Sequence, residues 1–274
     1  MLGILTGLVY GLVFLLGTAI GSFLSVVVHR VPLGQSIVLP PSHCPFCQHR
    51  LTPAENLPII GWLRLKGRCS ACKTPIPLRY PLLELGCGLA FVGIFGLYGV
   101  SWQTVGLWAF FSWLFALAWI DLETMTLPNP LTQTGLIAGL IFQVWLGLGA
   151  NGAIAEALTQ LMVGVLGAVV GIWLVELISL LGTYALGKTA MGGGDAKLAA
   201  MMGAWLGWPL LLLAGFLACA IGAFVGGAAM TTGHLNRQQP FPFGPFLAVG
   251  GMIAALWGDR LIQLYLQTFF PTLG

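Results

Sequence analysis

Charge is what this sequence most conspicuously lacks. Only 7% of its 274 residues are Asp, Glu, Lys or Arg, against roughly a quarter in soluble domains, and that scarcity excludes an ordinary water-soluble fold. The short alternating segments of a transmembrane barrel are also missing. The first apolar run, Leu2 to Val28, has neither a positively charged start nor a small-residue cleavage site before Arg30, so it reads as a retained span and not as a removable signal. Acids are scarcest of all, with eight Asp and Glu in the whole chain, so each one beside a span needs a physical reason.

What is present is hydrophobic. Such residues make up 58% of the chain, and uncharged runs such as Trp102 to Ile120, Ala157 to Val175 and Leu198 to Gly233 are long enough to cross a hydrocarbon core. These runs are continuous and rich in Leu, Ala and Gly, as suits helices that satisfy their own backbone hydrogen bonds. The fold class is an all-α polytopic membrane protein, and most of the 39 glycines are devices for close helix packing.

Three regions follow along the chain: a first transmembrane helix over 1–28, an extramembrane loop domain over 29–80, and a helical bundle over 81–274. The loop domain carries Arg30, Arg50, Arg64, Lys66, Arg68, Lys73 and Arg79 with Glu55 as its one acid, which places it in the cytoplasm and the N-terminus outside. Further spans are expected at 81–100, 103–121, 131–150, 157–183, 195–207, 208–230 and 243–268, giving about eight with the first. On this topology Lys188, Lys197 and Arg237 also fall at cytoplasmic ends, leaving Arg260 near the outer face. The segment 195–207 is short for a span and is expected to begin below the surface or to be partly re-entrant.

Within the loop, Cys44-Pro-Phe-Cys47 and Cys69-Ser-Ala-Cys72 form two C-x-x-C pairs. Two such knuckles supply four thiolates to one tetrahedral metal, and zinc is the expected ion. Two disulfides or four unconnected thiols are the alternatives, the first disfavoured in a reducing cytoplasm and the second by the paired spacing. His43 and His49 flank the first knuckle and could each replace a cysteine, but four thiolates already saturate the metal, so the site is structural. Cys87 and Cys219 lie in apolar runs and read as packing residues.

Among the acids, Glu156 and Asp259 fall near the outer face, where water solvates them. Asp121 and Asp195 fall at cytoplasmic ends of different spans. A cavity between helices that joins them would create two carboxyls sharing a proton, the arrangement of an aspartic peptidase. Asp195 follows Gly192-Gly193-Gly194, which allows close approach of an extended strand, although a flexible connection explains the glycines equally well. Lys197 and Glu123 stand two positions from these aspartates, on the opposite helix face, and Lys197 is expected to reach the interface. Glu176 sits in mid-span between Val175 and Leu177 without an evident partner, and a buried protonated carboxyl is the plain expectation for it.

The chain resembles the type IV prepilin peptidases, bifunctional leader peptidase and N-methyltransferase enzymes. The resemblance runs through Gly21 to Pro32, the double C-x-x-C loop, Asn56 to Trp62, Gly67-Arg-Cys69, Arg79 to Glu84, Ile120-Asp121, Leu127-Pro-Asn129, Gly192 to Leu198, Gly203 to Trp208 and Pro242 to Phe246. It implies that Asp121 and Asp195 are the catalytic pair of a GxGD-type membrane aspartic peptidase, with Gly192 and Gly194 as the motif glycines. It also implies prepilin or pseudopilin substrates, cut after a glycine at the end of a basic leader on the cytoplasmic side of a bacterial inner membrane. S-adenosylmethionine would then methylate the freed N-terminus.

No strand followed by G-x-G-x-x-G marks a site for that methyl donor, and Gly67 in the loop is the candidate. Ser25, Asn129 and Thr189-Ala190 depart from the family pattern, where Asn, Asp and Glu-Gly are common, and Thr189 puts any contribution of the usual Glu in doubt. A peptidase without methyltransferase activity and a transporter or scaffold are the competing readings; no inverted repeat supports transport. The expected partners are pilin-type substrates and membrane lipid, with no nucleic acid.

Overall fold

The computed structural model describes residues 2–186, 192–233 and 241–270. Lys188, Thr189, Ala190 and Arg237, which entered the charge count and the departures above, lie outside the described residues. Among the described residues eight helices follow in order: α1 (Leu2–Arg30), α2 (Ile60–Arg64), α3 (Arg79–Tyr98), α4 (Trp102–Thr124), α5 (Asn129–Asn151), α6 (Ile154–Leu186), α7 (Gly193–Thr231) and α8 (Gly244–Phe269). All but α2 are long and apolar enough to cross a membrane. Among the described residues the only β-pairings are two isolated bridges, both in the loop between α1 and α3.

The chain divides into two compact units, Met1–Ala116 and Leu117–Gly274. In the first, α1 and α3 cross antiparallel at small residues. A Cβ on Gly17 would stand 2.8 Å from Gly88 Cα, and one on Gly21 would stand 2.6 Å from Glu84 Cα, so backbone lies on backbone there. Trp108 of α4 stacks on Phe91 of α3 at 4.8 Å between ring centroids and donates its indole N–H to the Phe91 carbonyl.

In the second unit the crossing of α6 and α7 uses the same device. Gly171 lies on Ala199, and Gly167 and Gly203 meet backbone to backbone. Four residues forward on α6 correspond to four residues back on α7, so the two run antiparallel in that region.

The interior of α7 is interrupted at Gly207, whose φ of 72° lies in the left-handed region that glycine tolerates. Pro209 follows, and a helical proline collides with the carbonyl four residues earlier, here that of Trp205. Buried Gln143 of α5 donates its amide N–H to that carbonyl at 3.0 Å, and Trp205 donates its indole N–H to Gly135. The broken backbone is therefore satisfied by protein, as membrane depth demands.

Beyond the break, α7 packs on α8: Leu210 lies near Gly258, Ala214 near Gly250, and Gly222 near Phe246. This register is antiparallel too, and it brings the late part of α7 to the Gly244 end of α8. That end binds Asp121, whose charge acts on Asp195 at the start of α7. Both ends of α7 thus lie on one side, and its limbs 193–206 and 208–231 run in opposite directions about Gly207. The expected spans 195–207 and 208–230 are these two limbs, so seven continuous helices carry eight segments. The first limb is only about 20 Å long against a core of about 30 Å, which sets the Gly207 turn inside the hydrocarbon depth.

Candidate active site and metal centre

Both cysteine knuckles have the same local construction. The Cys44 N–H bonds the His49 carbonyl and the Cys69 N–H bonds the Thr74 carbonyl, each at 2.9 Å, closing a tight loop around each pair. Gln48 and Lys73, each just after the second cysteine of its pair, take positive φ values of 57° and 60°. The four sulfurs of Cys44, Cys47, Cys69 and Cys72 lie within 4.8 Å of one another, with Cys44–Cys72 at 3.7 Å and Cys47–Cys69 at 3.8 Å. A tetrahedron with metal–sulfur bonds of about 2.3 Å has sulfur–sulfur edges of about 3.8 Å, which these two distances match, so the cluster could hold a metal ion. The Thr74 hydroxyl, 3.1 Å from Cys72, draws that thiol down to about 6, toward the thiolate a metal requires.

Neither flanking histidine takes part in the sulfur cluster. His43 bonds the Pro41 carbonyl, and His49 faces Glu55 at 3.3 Å. Glu55 also accepts from the Ser70 hydroxyl and from the Thr52 N–H and hydroxyl, which together hold its carboxyl at about 2. An ionised Glu55 therefore ties the first knuckle's flank to Ser70 of the second. Gly67 lies buried under the Trp62 indole with φ +67°, a Cβ there standing 2.7 Å from the ring.

Glu84, one of the acids beside a span, is 7% exposed in α3 and accepts the Ile59 N–H at 2.7 Å. It anchors the entry to α2, where Ile59 adopts a φ of 59° that is rare for a β-branched residue. Ser25 is buried and returns its hydroxyl to the Gly21 carbonyl within α1.

In the second unit, Asp121 occupies the last turn of α4 and is 6% exposed. One oxygen, Oδ2, accepts the backbone N–H of Gly244 at 2.9 Å. Gly244 opens α8, where unpaired N–H groups and the helix dipole favour a carboxylate. A Cβ at this position would stand 2.6 Å from Oδ2, so only glycine permits the approach. Asp195 lies in the first turn of α7, the matching favourable place on another helix, and the backbone of Gly192 bonds its carboxylate.

The segment after α4 completes the arrangement. Gly194 rests against Leu127, with 3.2 Å from its would-be Cβ to the Leu127 Cβ, and Lys197 Nζ donates to Asn129 Oδ1 at 2.7 Å. Lys197 is exposed as expected, but its head is bound to Asn129. The two-residue spacing from Asp195 gave the helix face of Lys197 and could not supply a partner 68 residues distant. Glu123 points elsewhere and accepts the Trp119 indole N–H. Gly244 is the residue whose importance sequence reading missed: Pro242 to Phe246 was legible only as a motif, while its contact with Asp121 is tertiary.

Comparison with known proteins gives a consistent pattern across both units. A family model for the bacterial peptidase A24 N-terminal domain matches residues 15–98, and one for the type IV leader peptidase family matches residues 108–227. Curated relatives named prepilin leader peptidase/N-methyltransferase include one from Stutzerimonas stutzeri, 38% identical with 92% of each chain covered. Another from Aeromonas hydrophila is 37% identical over 96% of this chain and 95% of its own, and one from Pseudomonas aeruginosa is 38% identical over 92% of each. No solved structure matches the chain.

Proposed function

We propose that this chain, which belongs to the type IV leader peptidase family, cleaves the leader from prepilin-type substrates with Asp121 and Asp195 and then methylates the new N-terminal amine. The observation that supports the catalytic assignment is that these two carboxyls, from separate helices and each at a helix terminus, lie near enough for the charge of Asp121 to act on Asp195, with the Gly244 N–H on Asp121 and the backbone of Gly192 on Asp195. Two nearby carboxyls resist joint ionisation and share a proton.

The chemistry follows from that sharing. The ionised carboxylate takes a proton from water as the water oxygen bonds to the scissile carbonyl carbon, and the protonated partner donates to the carbonyl oxygen. When the carbon–nitrogen bond breaks, the leaving amine takes a proton from one carboxyl while a hydroxyl of the tetrahedral intermediate gives its proton to the other carboxylate, so the pair regains its single proton and its starting charge. The Gly244 N–H holds Asp121 in place through this cycle, and the Asn129–Lys197 and Leu127–Gly194 contacts fix the start of α7 against the segment after α4.

The methyl group is supplied by S-adenosylmethionine, for which Gly67 and the loop around it are the proposed contact region. The four-thiolate cluster is assigned to zinc in a structural role, because all four tetrahedral positions are filled by protein. We infer a multi-pass bacterial inner-membrane protein with its N-terminus outside and both aspartates on the cytoplasmic side, supported by the basic loop between α1 and α3.

The deciding experiment is mass spectrometry of a synthetic prepilin incubated with the purified protein and S-adenosylmethionine. Wild type gives a cut product that is 14 Da heavier from methylation. Asp121→Asn and Asp195→Asn, still inserted and folded, give uncut substrate. Normal cleavage by either variant defeats the aspartyl assignment, and cleavage without the mass gain removes the methyltransferase part.

A further inference from the structure

A shallow groove of ≈ 260 Å³ runs beside the start of α7, bounded by Val175, Glu176, Ser179 and Thr183 on one face of α6 and by Gly192 and Gly193. Its register relative to Asp195 follows from the glycine crossing. Gly167 pairs with Gly203 and Gly171 with Ala199, so one further turn sets Val175 level with Asp195 and Glu176 one residue beyond it. The groove therefore opens at the depth of Asp195. Gly193 has nothing within 4 Å of where a Cβ would stand, which leaves backbone bare along one wall.

Glu176 is the feature that the catalytic pair does not absorb. It is an exposed carboxyl on a helix whose neighbours Trp173, Leu177, Ile178 and Leu180 are all apolar and exposed. Among the described residues it pairs with none, and the nearest basic residue on α7, Lys197, is already bound to Asn129. An acid on a membrane helix is costly unless it faces a wet path or a counter-charge, and this one faces the groove.

We propose that this groove is a substrate subsite next to the scissile bond, and that Glu176 pairs there with a lysine or arginine side chain of an extended substrate segment. The occupant is fixed by charge complementarity: one carboxyl, bare glycine backbone and the Thr183 hydroxyl suit an extended chain carrying a cation. Glu176 touches no reacting atom in this role and sets specificity. The inference rests on the peptidase reading above.

The test uses the full-length enzyme and a synthetic prepilin in which each Lys or Arg is replaced singly by Gln. Glu176→Gln keeps the side chain's shape and is expected to raise KM about 3- to 10-fold with kcat unchanged, as a partly solvated ion pair implies. With one particular substrate cation neutralised, wild type and Glu176→Gln become equal. Glu176→Lys recovers on the substrate carrying Glu at that same position. An unchanged KM, or a loss that persists equally on every neutralised substrate, overturns the subsite. If Asp195→Asn is inert while Glu176→Gln matches wild type, the subsite alone falls; if Asp195→Asn cuts normally, the peptidase reading itself falls.

Discussion

Replacing Gly244 by Ala tests the geometry at Asp121 most directly, because the perturbation is a single methyl group of known position. The new Cβ would stand 2.6 Å from Oδ2, 3.0 Å from Cγ and 3.2 Å from Cβ of Asp121. Ordinary contact begins near 3.4 Å, so α8 and the carboxylate must part by about 0.8 Å. Added to the 2.9 Å N–H···Oδ2 bond, that displacement carries it past the hydrogen-bond limit. A bond to a charged acceptor contributes about 1.5–3 kcal/mol, and each ~1.4 kcal/mol is tenfold in rate.

The expected result is therefore a fall in kcat of about 10- to 100-fold, with KM nearly unchanged because the lost contact positions a reacting group. Initial rates on a synthetic prepilin measure it, alongside size-exclusion elution to confirm the fold. Gly215→Ala is the control, since nothing lies within 4 Å of its would-be Cβ, and it is expected to retain wild-type rates. A Gly244→Ala enzyme whose kcat stays within about threefold of wild type would refute the reasoning, since such a change is worth less than one hydrogen bond.

Cys44→Ser removes one of four thiolates and is expected to drop bound zinc well below one per chain by elemental analysis while speeding proteolysis of the loop between α1 and α3; unchanged zinc sinks the metal assignment. Gly203→Leu forces a side chain into the Gly167 backbone, so α6 and the first limb of α7 must separate at a cost of about 1–3 kcal/mol or more. Its thermal midpoint and its peptidase rate should both fall, and a variant with wild-type values in both shows that the crossing is looser than described.

The helices were legible because membrane depth demands long apolar runs, and each run from Leu2 onward appears as a helix. The cysteine cluster was legible for a different reason: both halves of a knuckle are local, so spacing alone nearly fixes the sulfurs. The Gly207 reversal showed only as a segment too short to span. Its cause, a positive φ followed by Pro209 with Gln143 satisfying the Trp205 carbonyl, involves residues 62 positions apart. Glu84 and Ile59 illustrate the limit further. A buried acid asks for a partner, and Glu84 finds the Ser22 hydroxyl on another helix and the Ile59 N–H, a backbone group that has no identity in a sequence.

The two carboxyls reach their places by independent means, and that independence explains where the glycines fall. The depth of Asp195 is set by the α6 crossing, where Gly167, Gly171 and Gly203 let backbones touch and leave no freedom to slide. The position of Asp121 is set by the start of α8, through a single N–H that only a glycine can bring close enough. The second limb of α7 connects these two constraints, because it returns from Gly207 and packs along α8 through Ala214 and Ala218 against Gly250. A chain that simply crossed the membrane as one long α7 would deliver the start of α8 to the wrong side. Asp121 would then lose its donor, so the reversal at Gly207 is a condition of the proposed active site even though it lies about 20 Å of helix away from Asp195.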